Sequence, residues 1–181
     1  MSEELDVLQL VAQRLDAAGI PYMVSGSMAM NYYAEPRMTR DIDIVIELTP
    51  PDIDRFTDLF APDFYCEADA IRDAVARRGM FNVIHLGLVL KVDFIVRKDL
   101  PYRRTEFERR RPIELEGTTL WLVSAEDLLL SKLHWAKDSH SALQLGDARN
   151  LIASLPTLDW TYIEHWAEQL SVSNLLAEVR S

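Results

Sequence analysis

The sequence predicts an α/β (α+β) protein: a mixed sheet flanked by helices, followed by a helical carboxy-terminal region. Three observations carry this. Short β-branched runs alternate with stretches of helical spacing through the first two thirds of the chain, two strand segments meet at a tight turn near Gly87, and the last third holds only amphipathic stretches. The expected division is a core over residues 1–123 and a helical region over 124–181 packed on it. At 181 residues the chain is long enough to bury a substantial core.

Leu5, Leu8, Val11, Ala12 and Leu15 recur at helical spacing and stop before Gly19, which closes the first helix. A short strand, Tyr22-Met23-Val24, ends at Ser25-Gly26-Ser27, and Met28, Ala29, Met30 and Tyr33 restart a helical pattern that breaks before Pro36. Asp41 to Ile46 alternates acid with isoleucine and then turns continuously β-branched, as a strand with one buried face does. Thr49-Pro50-Pro51-Asp52 starts a helix with Ile53, Phe56, Leu59 and Phe60 on one side, and another helix is expected over 68–78. Strands over 81–86 and 89–96 follow, then an arginine-rich linker and a small hairpin around Glu116-Gly117-Thr118. Ser124-Ala125-Glu126-Asp127 caps the first carboxy-terminal helix, and stretches near 143–154, 159–170 and 172–180 complete the region, with Trp121, Trp135, Trp160, Trp166 and Tyr162 expected to build its core.

Composition narrows the function. A lone cysteine, Cys66, allows neither an internal disulfide nor a cysteine metal cluster. The acidic start Met1-Ser2-Glu3-Glu4 lacks the pattern of an export signal, and the most apolar stretch, 81–96, contains His85, Lys91 and Asp93, so a cytoplasmic protein with no membrane partner is expected. A formal charge of −10 opposes non-specific nucleic-acid binding, which needs an excess of lysine and arginine. Positive charge does cluster: Arg97, Lys98, Arg103, Arg104, Arg109, Arg110 and Arg111 fall within fifteen residues. Such a run is either a solvated linker or, for an RNA acceptor, a docking surface. The four histidines show no spacing typical of zinc.

Two carboxylates one residue apart on a strand lie on one face, about 7 Å apart at Cβ, so Asp41 and Asp43 can reach one group of ions. Magnesium prefers carboxylate and phosphate oxygens, and two such ions about 4 Å apart stabilise both oxygens of a phosphoryl transfer. Asp93, in Lys91-Val92-Asp93-Phe94, supplies a third carboxylate on another expected strand. Alone, Asp-Ile-Asp is also what a solvated sheet face looks like, and Gly-Ser before a helix is an ordinary cap. Together, the Gly26-Ser27 turn offers backbone N–H groups and a hydroxyl to a phosphate tail beside the carboxylates. Arg37 and Arg40, just before the acidic pair, suit a triphosphate.

These residues resemble the DNA polymerase β-like nucleotidyltransferase superfamily: an apolar residue, Gly-Gly or Gly-Ser, nine to thirteen residues, Asp-x-Asp, and a later acidic residue on a strand. Here Val24-Ser25-Gly26-Ser27 is followed by thirteen residues, Thr39-Arg40-Asp41-Ile42-Asp43, and later Asp93. The chain looks most like small bacterial nucleotidyltransferases of the abortive-infection toxin type, over about residues 10–155, with Leu145-Gly146 where those toxins carry Arg-Asp. The resemblance implies that Asp41 and Asp43 hold two Mg2+ (or Mn2+) ions carrying a nucleoside triphosphate, and that Asp93 completes the site and helps deprotonate the acceptor. It also implies that Gly26, Ser27, Arg37, Thr39, Arg40 and Lys132 bind nucleotide and that Asp147 is accessory. The acceptor it implies is open among transfer RNA, a protein and a small molecule, with a toxin–antitoxin role for the chain. From the residues alone, Lys132 is equally a lysine at the core edge, and Asp147 a partner for Lys132 or Arg149. The alternative function is a non-catalytic binding or scaffold protein of the same fold.

Overall fold

The computed structural model describes residues 2–181. Helix α1 (Glu3–Ala17) leads into β1 (Tyr22–Ser25), α2 (Gly26–Tyr33) and β2 (Ile42–Ile46), and a 3-10 turn at Pro50–Asp52 runs into α3 (Ile53–Phe60). There follow β3 (Phe64–Tyr65), α4 (Ala68–Arg77), β4 (Met80–His85), β5 (Leu90–Val96), α5 (Pro101–Glu108), β6 (Arg111–Leu115) and β7 (Thr118–Leu122). The chain ends in α6 (Ala125–Ala136), α7 (Ala142–Ser154), α8 (Trp160–Gln169) and α9 (Ser173–Arg180). Among the described residues the strands form one seven-stranded sheet ordered β3-β4-β5-β2-β1-β7-β6. The β2–β5 and β1–β7 pairs are parallel and the others antiparallel.

Local chemistry accounts for the elements that frame the site. Ser2 caps α1 by accepting from the Leu5 N–H, and Val7, Leu8, Val11, Ala12 and Leu15 bury one stripe of that helix. Ile42, Ile44 and Ile46 of β2 are wholly buried while Asp43 and Val45 take the other face. Helix α3 places Phe56 and Phe60 against Phe81 and Phe94 of the sheet, edge to face, with ring centroids 5.3–6.0 Å apart. Helix α6 buries Leu128, Leu129, Leu130, Leu133 and Ala136 and packs against α2, α7 and α8. It therefore joins the carboxy-terminal helices to the turn between β1 and α2.

Three expectations are corrected and one strand is added. The arginine-rich segment is not a linker: Pro101 starts α5, and Tyr102, Glu106 and Phe107 bury one side of it at helical spacing. The run of arginines obscured that stripe. Trp135 is 65 % exposed, and Trp121 lies on β7, so neither belongs to the core of the helical region; Trp166 does pack there, against Tyr102 and Tyr162. The two-residue strand β3 went unread because a period of two cannot show in two residues. Asp41 lies one residue before β2 instead of within it.

Candidate functional site

Strand register brings the acidic residues together. The parallel β2–β5 ladder sets Asp43 opposite Asp93, the antiparallel β1–β2 ladder sets Ser25 opposite Asp43, and β4 sets Asn82 against Asp93. Directly opposed residues on adjacent strands project to the same face, about 5 Å apart at Cβ. Asp41, just ahead of β2, is held by its own N–H, which donates to Thr39 Oγ1 at 3.1 Å. Burial pushes the Asp43 carboxyl above the usual aspartate range, the charges on Asp93 and Asp41 push the same way, and Lys132 and Lys91 oppose them.

Gly26 makes that crowding possible. It adopts φ +60°, and a Cβ there would overlap Asp43 Oδ2 and stand 2.8 Å from the carboxyl carbon. Any side chain would displace Asp43 besides straining the backbone. Helix α2 starts at Gly26 itself, and its N-cap residue Ser25 makes no side-chain capping bond. The helix amino terminus thus abuts the carboxylates.

Beside this edge lies a second constellation. Arg37 donates from Nη2 to Ser27 Oγ at 2.7 Å, and to Asp147 from Nε at 3.1 Å and Nη2 at 3.2 Å. Lys132 Nζ donates to Asp147 Oδ2 at 2.7 Å, and both of those side chains are nearly inaccessible. Burial would raise the Asp147 carboxyl, but bonds from Arg37 and Lys132 outweigh it and hold it below the usual range. Two cations face one carboxylate, leaving local positive charge beside Ser27. Asp147 pairs with Lys132 and Arg37, while Arg149 turns to Glu178 at 3.2 Å.

Gly26, Ser27, Asp41, Asp43 and Asp93 thus gather at the β1, β2 and β5 edge, with Arg37, Lys132 and Asp147 adjoining. Thr39 fastens Asp41. Arg40 stands apart, 70 % exposed and 3.9 Å from Glu4. Two residues that sequence reasoning passed over belong here. Asn31 clamps the Arg37 backbone from both sides, donating to its carbonyl at 2.9 Å and accepting from its N–H at 3.0 Å. Its spacing of one helical turn from Ser27 was the available signal. Lys91 Nζ lies 2.7 Å from Asp93 Oδ2, and its position two residues earlier on the same strand face was the signal.

The donor set suits a hard divalent cation: carboxylate oxygens, one of them destabilised by its neighbours' charge, at a glycine that keeps the cradle open. Among the described residues no three His, Cys, Asp or Glu side chains are already spaced around one point, and Lys91 engages one oxygen of Asp93.

No protein-family model and no curated protein matches the sequence. Solved structures do. An antigenic nucleotidyltransferase-like protein from Paracoccidioides brasiliensis matches with a TM-score of 0.60 at 18% identity, over 97% of this chain and 92% of that one. The antibiotic-resistance factor ANT(2'')-Ia matches with a TM-score of 0.54 at 14% identity, over 98% and 92%. The lincosamide antibiotic adenylyltransferase LnuA matches with a TM-score of 0.54 at 11% identity, over 86% and 98%. What these likenesses show is the architecture: a mixed sheet flanked by helices, in the fold shared by nucleotidyltransferase-like proteins.

Proposed function

We propose that the protein is a metal-dependent nucleotidyltransferase that moves a nucleoside monophosphate from a nucleoside triphosphate to an acceptor, releasing pyrophosphate. The observation that carries this is the register that lines up Ser25, Asp43 and Asp93 across three strands, with Gly26 pressed against the Asp43 carboxylate. A carboxylate buried beside like charges costs stability unless a cation joins it. Asp41, Asp43 and Asp93 would hold two magnesium or manganese ions. Bound there, the metal supplies charge neutralisation for the triphosphate and for the oxygens that attack and leave.

The chain's own residues do the positioning. Gly26 and the first turn of α2 receive the phosphate tail, Ser27 and Arg37 line its side, and Lys132 adds positive charge from behind Asp147. Asp93 takes the proton of the acceptor hydroxyl. Residues 1–123 act as the core, and the helical region 124–181 supplies Lys132 and Asp147.

For the acceptor, a small hydroxylated molecule is favoured over RNA. Four of the seven clustered cations that would dock a polyanion are already engaged with acids: Arg97 with Glu47, Arg104 with Asp99, Arg103 with Glu106, and Arg109 with Glu126 and Asp127. Two structural neighbours point the same way, LnuA having lincomycin bound and ANT(2'')-Ia adenylyl-2''-tobramycin. A toxin–antitoxin role draws its support from the sequence resemblance. No helix among the described residues is long and apolar enough to cross a membrane.

Thermal melts with each nucleoside triphosphate, with and without magnesium, test the binding step: metal-dependent stabilisation is expected, and none would point to the non-catalytic scaffold. Labelled triphosphates incubated with aminoglycosides, lincosamides, transfer RNA and protein test transfer. Label appearing in RNA alone would overturn the preference for a small acceptor.

A further inference from the structure

Lys91 and Asp93 occupy alternate positions of β5 and share a face, with Nζ 2.7 Å from Oδ2. The β2–β5 register sets Asp43 beside Asp93 and begins at Ile42 and Val92, the residues that directly follow Asp41 and Lys91. The charges of Asp41 and Asp43 also act on the Lys91 ammonium. Lys132, the other cation that acts on Asp43, is committed to Asp147 from a different helix. Lys91 is therefore bonded to one carboxylate and feels the charge of two more. The Lys91 side chain is 49 % exposed whereas that of Asp93 is 12 % exposed. Its flexible four-carbon stem can carry the ammonium out to water without moving the strand.

We propose that Lys91 is a built-in counter-cation of the carboxylate edge, offsetting repulsion among Asp41, Asp43 and Asp93 in the metal-free protein and giving up Asp93 when a divalent ion arrives. The second half rests on the metal reading above; the first half does not. The contact makes Lys91 a positioning residue: while it is formed, one oxygen of Asp93 is occupied, and an arriving ion must displace a bound charge. Lys91 thus weakens metal binding while protecting the empty site, which ties the release of Asp93 to metal loading.

The test is Mn2+ titration, followed by the electron paramagnetic resonance signal of free Mn2+, on wild type, K91M, K91R and D43N, together with thermal melts in chelator. K91M is expected to bind Mn2+ about fivefold more tightly, the order of effect of losing one partly exposed competing charge pair, with K91R close to wild type. In chelator K91M should melt below wild type, and the double variant K91M/D43N should recover the loss, because Asp43→Asn removes the repulsion that Lys91 offsets. Unchanged or weaker Mn2+ binding in K91M overturns displacement by metal. Unchanged melting in chelator overturns the counter-cation role. If wild type binds Mn2+ no better than D43N, the metal reading fails and takes the displacement with it, while the chelator melts still decide the counter-cation role.

Discussion

Two groups of acids in this molecule, one wholly buried and one half-buried, are treated in opposite ways. Between α5, α6 and α8, Glu106, Glu126 and Asp127 are nearly or wholly inaccessible, and each is met by donors. Glu106 accepts from Arg103 at 2.8 Å and Ser131 at 2.7 Å, and Asp127 accepts from Arg109 at 3.1 Å, Ser124 at 2.6 Å and the Tyr162 hydroxyl at 2.6 Å. Glu126 accepts from Arg109 and from the Asp159 N–H, and the Arg109 guanidinium lies 3.8 Å over the Tyr162 ring. Burial pushes up the carboxyls of both Glu106 and Asp43, but Arg103 and Ser131 oppose it at Glu106, whereas at Asp43, on the strand edge, the charges of Asp93 and Asp41 add to it. The satisfied cluster pins helices together, as buried charge does when every oxygen has a partner. The under-compensated cluster holds charge in a costly arrangement at a glycine turn, where a ligand and not the fold has use for it. Burial of acids alone therefore does not separate structure from site; the supply of partners does.

The contrast predicts different failures. Asp43→Asn should cut nucleotidyl transfer at least about a thousandfold, since losing roughly 4 kcal/mol of charge stabilisation has that effect. Its circular dichroism should match wild type; a variant within tenfold of wild-type turnover would remove the edge from the mechanism. In the satisfied cluster Asp127→Ala should leave the Ser124 and Tyr162 hydroxyls without their acceptor and Arg109 with Glu126 alone, and cost about 3–5 kcal/mol in urea unfolding. A loss below about 1 kcal/mol would mean the cluster is not the clamp described. Gly26→Ala should cost about 2–3 kcal/mol from overlap with Asp43 and strained φ, and should impair transfer with it. Pairing it with Asp43→Gly should return the part of the loss that comes from overlap, not the part that comes from φ, and none of the activity.

The smallest expected effect is in pH dependence. Because the folded-state pKa of Asp43 is raised, the folded protein holds that proton more tightly than the unfolded chain. Its contribution is present below the ordinary aspartate range and is lost as pH rises from that range through the raised value. Asp147 has the opposite sign: its lowered pKa contributes above the ordinary range and is lost as pH falls through the lowered value. Urea midpoints between about pH 3 and pH 7 should therefore show Asp43→Asn gaining on wild type as pH rises, and Asp147→Asn losing ground over the same range. Parallel curves for all three proteins would show that neither carboxyl is coupled to folding as described.

Much of this was legible along the chain. Leu5 to Leu15 announced α1, the alternation at Asp41 to Ile46 announced β2, and Gly26-Ser27 with Asp41 and Asp43 marked the candidate edge, because period and turn chemistry are local properties. Helix α5 was masked by the arginines in and around it: Arg103 and Arg104 pair locally with Glu106 and Asp99, while Arg97 and Arg109, which flank the helix, find Glu47, Glu126 and Asp127 on other elements. The fate of Lys132 was equally hidden, since a lysine on an amphipathic helix looks the same whether it snorkels or meets an aspartate fifteen residues on.

From residue order alone came the elements, the apolar faces and three aspartates on expected strands, all fixed by spacing over a few residues. Which acids would share one face, and which would find partners, was settled by the β2–β5 register and by the packing of α6 against α2 and α7. Charge interactions depend on distance through space, and the parallel pairing that sets Asp43 beside Asp93 joins positions fifty residues apart. The lysine at Asp93, the pairing of Arg37 and Lys132 on Asp147, and the glycine contact with Asp43 all follow from that folded geometry.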